Sequence, residues 1–460
     1  MIRRDLFPAF FIAFALFIAF LAMNVCYGYF MKTYIHRGWL AALTLFADRR
    51  QVIILALGFS SGLPLALTLA TLSYWLSKSG VDKTSIGLFA LVGLPYSLKF
   101  LWAPLIDQWQ LPVLAKMLGR RRSWVLVTQA LLILAILGLS QTNPLIDPGY
   151  TALFALMVAF ASASQDIVID AYRIDILEDD EQGTGAAMIQ YGYRIGMLVS
   201  GAGAIALGDY LNWELIYQIM AFCVLFGVAA VYFAPEPNDR LWQERRAKIN
   251  SFADTLREAV IEPFSDFMSR PFWIGILGFV ILYKFGDAIG GVMANPFYHE
   301  IGFTGVEIAG VTKVFGLIAA LVGVFVGGIL VAHWGIYKAL VVGGILQALT
   351  NLCFAWLAYV GNDITALALG IAADNFTGGL GTTAFVAYLS SLCNPVYSAT
   401  QYALLTSFMA VGRTMLSASG GWLADQMGWV EFFISTTLLA IPGLILLFMI
   451  MTYKKDPNGR

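Results

Sequence analysis

Ala161–Leu177 reads ASASQDIVIDAYRIDIL. The segment is mostly apolar, yet it carries Gln165, Asp166, Asp170, Arg173 and Asp175. Positions 166, 170 and 173 advance by four and three, so on a helix those side chains share one face. A charged stripe on an apolar helix means one thing in water and another in a bilayer, so the surrounding solvent decides the fold.

Composition identifies that solvent. The chain of 460 residues is 59% hydrophobic and 12% charged, where a soluble domain carries about 25% charge. The net charge of −1 points to neither nucleic acid nor a polyanionic partner. Cys26, Cys223, Cys353 and Cys393 lie in or beside apolar stretches with no CxxC pair, and read as small membrane hydrophobes. His36, His299 and His333 are far apart, so no metal site, cofactor or catalytic residue is expected. The chain reads as an integral membrane protein that is not an enzyme.

A bilayer core takes about 20 apolar residues per helix. Candidate spans run over 52–77, 86–106, 124–140, 150–172, 184–208, 213–233, 272–298, 306–331, 338–360, 365–392, 402–423 and 429–452. Barrel strands need only about 9–11 residues, so these lengths predict an all-α protein of twelve core helices. A polar stretch after Pro235 splits them six and six: a bundle over 47–234, a linker over 235–271 and a bundle over 272–460. Within the linker, Phe252–Phe267 mixes apolar and charged residues at helical spacing and reads as a surface helix. Residues 1–46 form an extension in which Leu6–Phe30 is a further candidate helix; a translation start at Met31 would remove it. Lys and Arg gather at Lys116–Arg122, in the linker and at the end of the chain, and are missing from the loops at 140–149, 209–212, 361–364 and 424–428. That alternation predicts a cytoplasmic linker and a cytoplasmic C-terminus.

The halves repeat. GYRIGMLVSG (192–201) aligns with VGRTMLSASG (411–420), LNWELIY (211–217) with MGWVEFF (427–433), and GVDKTSIG (80–87) with GFTGVEIA (302–309), at a nearly constant offset. Two parallel six-helix repeats imply a central cavity on a pseudo-two-fold axis.

A charge at the bilayer centre costs from ~3 to above ~10 kcal/mol, so it faces a partner, a wet cavity or the headgroups. By depth the candidates are Lys99, Asp166, Asp170 and Arg194 in the first half, and Lys284, Asp287, Lys313, Asp374 and Arg413 in the second. Asp166 and Asp170 suit either an ion pair with Arg173 or Arg194 that fixes packing, or a titratable carboxylate that meets a proton or cargo. Lys284 and Asp287, three apart, suit a local pair or a cavity role. Asp374 opens DNFTGGLGTTAF, where Asn375 adds polarity and the glycines permit close packing. Arg194 and Arg413 suit bidentate binding of a carboxylate or the holding of helices through buried pairs. Tyr74, Trp75, Tyr96 and Tyr191 offer stacking surfaces for sugars, although interfacial belts use the same residues. Asp107 and the run Gly119–Arg122 bracket the loop after the second span, where charge pairs would latch a closed state; Arg120, Arg121, Arg122 and, at the end of the fourth span, Arg173 are the gating candidates.

GFSSGLPLALT (58–68), KFLWAPLID (99–107), GRRRSWVL (119–126), ASASQDIVIDAYRIDIL, GYRIGMLVSG, YKFGDAIG (283–290) and NPVYSATQYALLTSF (394–408) together resemble the AmpG-type muropeptide permeases, a branch of the major facilitator superfamily. The resemblance runs from about residue 50 to 452. It implies a major facilitator fold in a bacterial inner membrane, importing anhydromuropeptides as a monomer, with protons as the driving partner and lipid as the surrounding one. In that family the flux also feeds β-lactamase induction. On this reading Lys99, Gln165, Tyr191, Arg194, Lys284, Lys313, Asn375 and Arg413 meet the cargo, and Asp166, Asp170, Asp287 and Asp374 carry protons. Two alternatives stay open. A carrier of the same fold for acetyl-coenzyme A would want clustered Lys and Arg, and a membrane-embedded sensor or enzyme would want a soluble domain or a nucleophile–base pair.

Overall fold

The computed structural model describes residues 45–238, 240–246, 257–417 and 419–455. The candidate helix at Leu6–Phe30 and residues 252–256 of the expected linker helix lie outside them. Among the described residues there is no strand. The chain divides into two compact units. One runs to Asn250 and takes in Ser398–Thr400; the other comprises Ser251–Tyr397 and Gln401 onward.

The first unit contains α1 (Arg49–Lys78), α2 (in pieces, Lys83–Phe89, Leu94–Leu98 and Ala103–Gln108), α3 (Arg120–Ser140), α4 (Pro148–Ile176), α5 (Gln182–Leu198, continued to Leu207) and α6 (Trp213–Phe233). Caps set the starts. The Asp48 carboxylate accepts the Arg50 N–H at 2.7 Å and the Asn212 side chain accepts the Leu215 N–H at 2.9 Å, each worth ~1 kcal/mol. The second unit is built from α7 (Trp273–Glu300), α8 (Gly305–Gly310 continued through Leu317–Trp334), α9 (Ile336–Val360), α10 (Ile364–Ser391), α11 (Ser398–Ser417, of which Gln401 onward lies in this unit) and α12 (Trp429–Leu439 and Ile441–Lys455). A capping box of Thr304 and Glu307 opens α8, and Asp363 caps α10.

Among the described residues eight helices are long and apolar enough to cross a membrane: α1, α3, α4, α6, α7, α8, α9 and α12. The helices outside that group are α2, α5, α10 and α11. They carry Lys99, Arg194, Asp374 with Asn375, and Arg413, so the helices that are too short or too polar for that group hold part of the candidate site.

Packing inside each unit rests on contact, since lipid is as apolar as leucine and gives helices no hydrophobic reason to associate. In the first unit glycines bring α1 and α5 together: a Cβ on Gly192 would stand 2.6 Å from the Phe59 nitrogen, and one on Gly62 2.7 Å from the Tyr193 carbonyl carbon. Both helices widen into π-turns, Leu67–Thr71 and Val199–Gly203, and the Thr71 hydroxyl donates to the Ser200 carbonyl at 2.6 Å. That bond satisfies a carbonyl in a stretch where the helical ladder is out of register. Trp75 is buried, stacked on Trp213 at 5.9 Å and tilted on Tyr217 at 5.1 Å. Trp75, one of the two sugar-stacking candidates on α1, is therefore part of the core, whereas Tyr74 is exposed. In the second unit Phe297, Phe354, Phe432 and Phe433 knit α7, α9 and α12.

At the entrance to α7, the short helix Glu262–Met268 is tied to the α10–α11 loop and to the start of α11. The Asp266 carboxylate accepts Gln401 Nε2 at 2.8 Å and Asn394 Nδ2 at 2.9 Å, and pairs with Arg270 at 3.3 Å. Burial acts to raise the Asp266 pKa, but the hydrogen bonds from Gln401 and Asn394 and the charge of Arg270 outweigh it and hold the carboxyl below its ordinary 3.8. A lowered folded value means the stabilisation is complete above the unfolded pKa and is lost as pH falls through the folded one. Asp266→Asn should therefore flatten the acid limb of the stability curve below about pH 4 and leave it unchanged near neutrality apart from a constant offset. Thermal melting in detergent as a function of pH measures this; an unchanged acid limb in the variant contradicts the assignment.

Candidate functional site

The charged stripe of α4 lies against three neighbours. Asp166 accepts a hydrogen bond from the Ser61 hydroxyl of α1 at 2.5 Å, while the Ser60 hydroxyl donates to Gln165 at 3.3 Å and accepts from Gln129 of α3 at 3.4 Å. Asp170 faces Lys99 of α2 at 4.0 Å and Arg173 at 3.7 Å. Lys99 is buried and begins the 3-10 turn Lys99–Leu101 where α2 breaks. Nearer the start of α4, Trp102 Nε1 donates to Ser164 at 3.0 Å. The arrangement brings together Lys99, Gln165, Asp166, Asp170 and Arg173, with Asp166 and Asp170 half-buried. Arg173 pairs with Asp170 and is fully buried.

Arg194 and Tyr191 sit one turn apart on α5. Of the two pairings open to Asp166 and Asp170, the structure forms the one with Arg173. Arg194 makes no ion pair among the described residues, and its buried Nε has no hydrogen-bond partner. Among the described residues it is a cation without a counter-ion.

The second unit repeats the association of lysine with a helix break. Between Leu282 and Phe285 α7 is interrupted, and Lys284 there reaches the Thr382 hydroxyl of α10 at 2.6 Å. Asp287 accepts from Gln347 Nε2 of α9 at 2.7 Å. Asp374 of α10 is half-buried and within electrostatic reach of Asp287 and Lys284. Asn375 donates to the Ile371 carbonyl of its own helix at 2.9 Å. Helices interrupted at depth free backbone groups and open room for ions and cargo. Arg413 is exposed on α11, and the side chain of Lys313 lies outside the described ones.

A separate cluster lies at the end of α2 in the first unit. Buried Asp107 pairs with Arg121 at 3.0 Å and with Arg120 at 3.9 Å, and accepts both the Thr400 N–H at 2.6 Å and the Thr400 hydroxyl at 2.8 Å. Arg121, with no exposed side-chain surface, also binds Asp175 at 2.8 Å and the Ser398 hydroxyl at 2.8 Å. Arg120 covers the Trp242 ring at 4.8 Å. Arg122 turns elsewhere, donating to the carbonyls of Val231 and Tyr232 at the end of α6 at 3.1 and 3.0 Å. The Glu236 carboxylate takes the Arg121 and Arg122 backbone N–H groups at 2.8 and 3.2 Å, supplying an acidic group at the positive end of α3.

The sequence reading missed Ser60, Ser61, Gln129, Gln347 and Thr382. Gln129 and Gln347 were detectable as amides within apolar spans. The three hydroxyl residues were not, because Ser and Thr bond their own helix as readily as a neighbour.

The profile of the Major Facilitator Superfamily matches residues 54–373 and 285–460. The chain belongs to that superfamily. Among superfamily members, it is 41% identical over 410 residues to the anhydromuropeptide permease of Escherichia coli K12, covering 88% of this chain and 81% of that one. It is 41% identical over 418 residues to the Rickettsia felis chain called AmpG 4, covering 90% of this chain and 99% of that one. Solved superfamily structures share the fold: the Escherichia coli fucose:proton symporter FucP superposes with a TM-score of 0.66 at 12% identity, over 87% of this chain and 98% of that one. The human organic anion transporter MFSD10 gives 0.62 at 17% identity, over 87% and 99%. The protein is a multi-pass membrane transporter of the superfamily and a homologue of that permease.

Proposed function

We propose that this transporter imports anhydromuropeptides across a bacterial inner membrane, as a monomer with its C-terminus in the cytoplasm, using the proton gradient and alternating access. The observation that carries the reading is the 41% identity over 410 residues with the E. coli anhydromuropeptide permease. Charge at membrane depth supports it. A muropeptide presents sugar hydroxyls, amides and carboxylates, and Lys99, Gln165, Tyr191, Arg194, Lys284, Lys313, Asn375 and Arg413 offer donors of matching kind. Arg194 is the best placed of these for a carboxylate, since Lys99 already has Asp170 within 4.0 Å and Arg194 makes no ion pair among the described residues. Asp166, Asp170, Asp287 and Asp374 are the carboxylates for proton carriage. Each has a polar or cationic neighbour on another helix, so protonation changes what that neighbour has to bind. A proton shifts the conformational equilibrium only through such differential contacts. The buried Asp107–Arg121 cluster, with Arg120, is the gate; Arg122 and Arg173 hold the helices beside it.

Deletion of the gene should abolish uptake of a labelled anhydromuropeptide, and a protonophore should abolish accumulation in the parent. Unchanged uptake in a deletion strain with no second permease rejects the cargo; uptake indifferent to the protonophore rejects the coupling. Asp166→Asn, Asp287→Asn and Asp374→Asn should each insert normally, and at least one should lose driven accumulation. Wild-type accumulation in all three removes the carboxylates from the mechanism.

A further inference from the structure

Beside α12 the second unit holds a groove of about 410 Å³ lined by Trp334, Lys338, Val341, Val342, Phe448 and Met451. Trp334 closes α8, Lys338 lies in the first turn of α9, and Phe448 and Met451 lie in the last turns of α12. All are at helix ends. The groove therefore sits at the depth where headgroups meet acyl chains, the level at which membrane proteins carry Trp and Lys.

The groove is lined almost wholly by apolar surface, and Lys338 is the one charged residue in its lining. Val341 and Val342 follow Lys338 by three and four residues, so they lie on its helix face one turn deeper into the bilayer. Phe448 and Met451, spaced three apart, form the facing wall on α12. Lys338 is exposed and makes no ion pair or hydrogen bond among the described residues. Its four-carbon stem can lie along the apolar wall while the ammonium stays at the surface. An ammonium that no described residue pairs, over an apolar slot, matches a molecule with an anion at one end and a hydrocarbon chain below it. A zwitterionic lipid would fill the slot but brings a cation of its own to the mouth.

We propose that this groove is a lipid site, seating an acyl chain of an anionic phospholipid whose phosphate is held by Lys338. Lipids with negative headgroups gain from each nearby lysine about what a fivefold preference represents.

The full chain, purified in detergent, is incubated with dioleoyl-phosphatidylglycerol or dioleoyl-phosphatidylcholine at equal concentration, and retained lipid is counted by native mass spectrometry. Wild type should keep the glycerol lipid over the choline lipid by about fivefold, the advantage one lysine supplies. Lys338→Gln should bring the ratio close to parity and Lys338→Arg should preserve it. Val342→Trp, which fills the slot, should lower retention of both lipids. Parity in the wild type, or a fall of less than twofold in Lys338→Gln, overturns the site; Lys338→Gln changes an exposed side chain, so the test does not depend on whether Val342→Trp folds.

Discussion

Replacing Arg121 with methionine should destabilise the purified protein by about 3–5 kcal/mol, the range for removing one partner of a buried ion pair. The guanidinium has no exposed surface and holds two carboxylates at once, Asp107 at 3.0 Å and Asp175 at 2.8 Å. Methionine keeps most of the volume, so packing changes little and the loss is electrostatic. What remains is a pair of carboxylates in a buried site with the shared cation gone. The cost comes from two buried carboxylates left, among the described residues, with only Arg120, 3.9 Å from Asp107, as a nearby cation, rather than from the intrinsic strength of the pairs. Arg121→Met combined with Asp107→Asn and Asp175→Asn should therefore recover much of the stability, a non-additivity expected only of residues in direct contact. Thermal unfolding in detergent, followed by tryptophan fluorescence, compares the single and triple variants. A single variant as stable as the parent, or a triple variant worse than the single, would mean that water rather than Arg121 solvates the two acids. Because Asp107 also accepts two hydrogen bonds from Thr400, the single variant should additionally alter transport through the proposed gate.

How much of this was legible depends on the range of the interaction. The membrane character, the helical class and the charged stripe of α4 follow from composition and period, which are local properties of the chain. The pairing of Asp170 with Arg173, three residues on, was legible for the same reason. Lys99 meeting Asp170 was not, because it depends on α2 breaking at Leu98–Lys99 and turning the lysine toward α4. Lys284 and Asp287 are within electrostatic reach of each other, as their spacing suggests, but spacing did not indicate that Lys284 at the break in α7 also bonds Thr382 and that Asp287 also accepts from Gln347. Spacing rules assume an unbroken helix, and both lysines sit where the helix is broken. Arg122 shows a different gap: a run of three arginines reads as one gate, but successive residues on a helix point about 100° apart. Only Arg120 and Arg121 reach Asp107, while Arg122 takes carbonyls of α6. The repeat between GYRIGMLVSG and VGRTMLSASG was visible, but not its difference in packing. Gly192 meets backbone of α1, whereas the counterpart region of α11 places Gly412 against the Ile281 side chain of α7, with a Cβ only 3.0 Å away.

That difference in what the glycine faces makes Gly192→Val the other substitution of large effect. A Cβ at this position would lie 2.6 Å from the Phe59 nitrogen and 2.9 Å from the Gly58 carbonyl carbon, and closer still to the Leu55 carbonyl oxygen. Overpacking against a flexible side chain costs about 1–3 kcal/mol because the neighbour can turn away. Backbone inside a helix cannot, so α1 and α5 must separate along their length. Separation would also pull apart the two π-turns joined by Thr71 and Ser200, leaving a buried carbonyl without its donor at a further cost of about 1–3 kcal/mol. Gly192→Val should therefore leave little monodisperse protein after detergent extraction, and Gly192→Ala should be measurably destabilised. Gly323→Val should do the same to the second unit, since its Cβ would stand 2.7 Å from the Phe376 carbonyl carbon of α10. Gly291→Ala is the control: nothing lies within 4 Å of its Cβ, and exchanging an open helical glycine for alanine stabilises by up to about 1 kcal/mol. Size-exclusion recovery and melting temperature across the four variants decide the matter. Equal recovery for Gly192→Ala and Gly291→Ala would mean that the α1–α5 seam has slack, and that close backbone approach does not hold the first unit together.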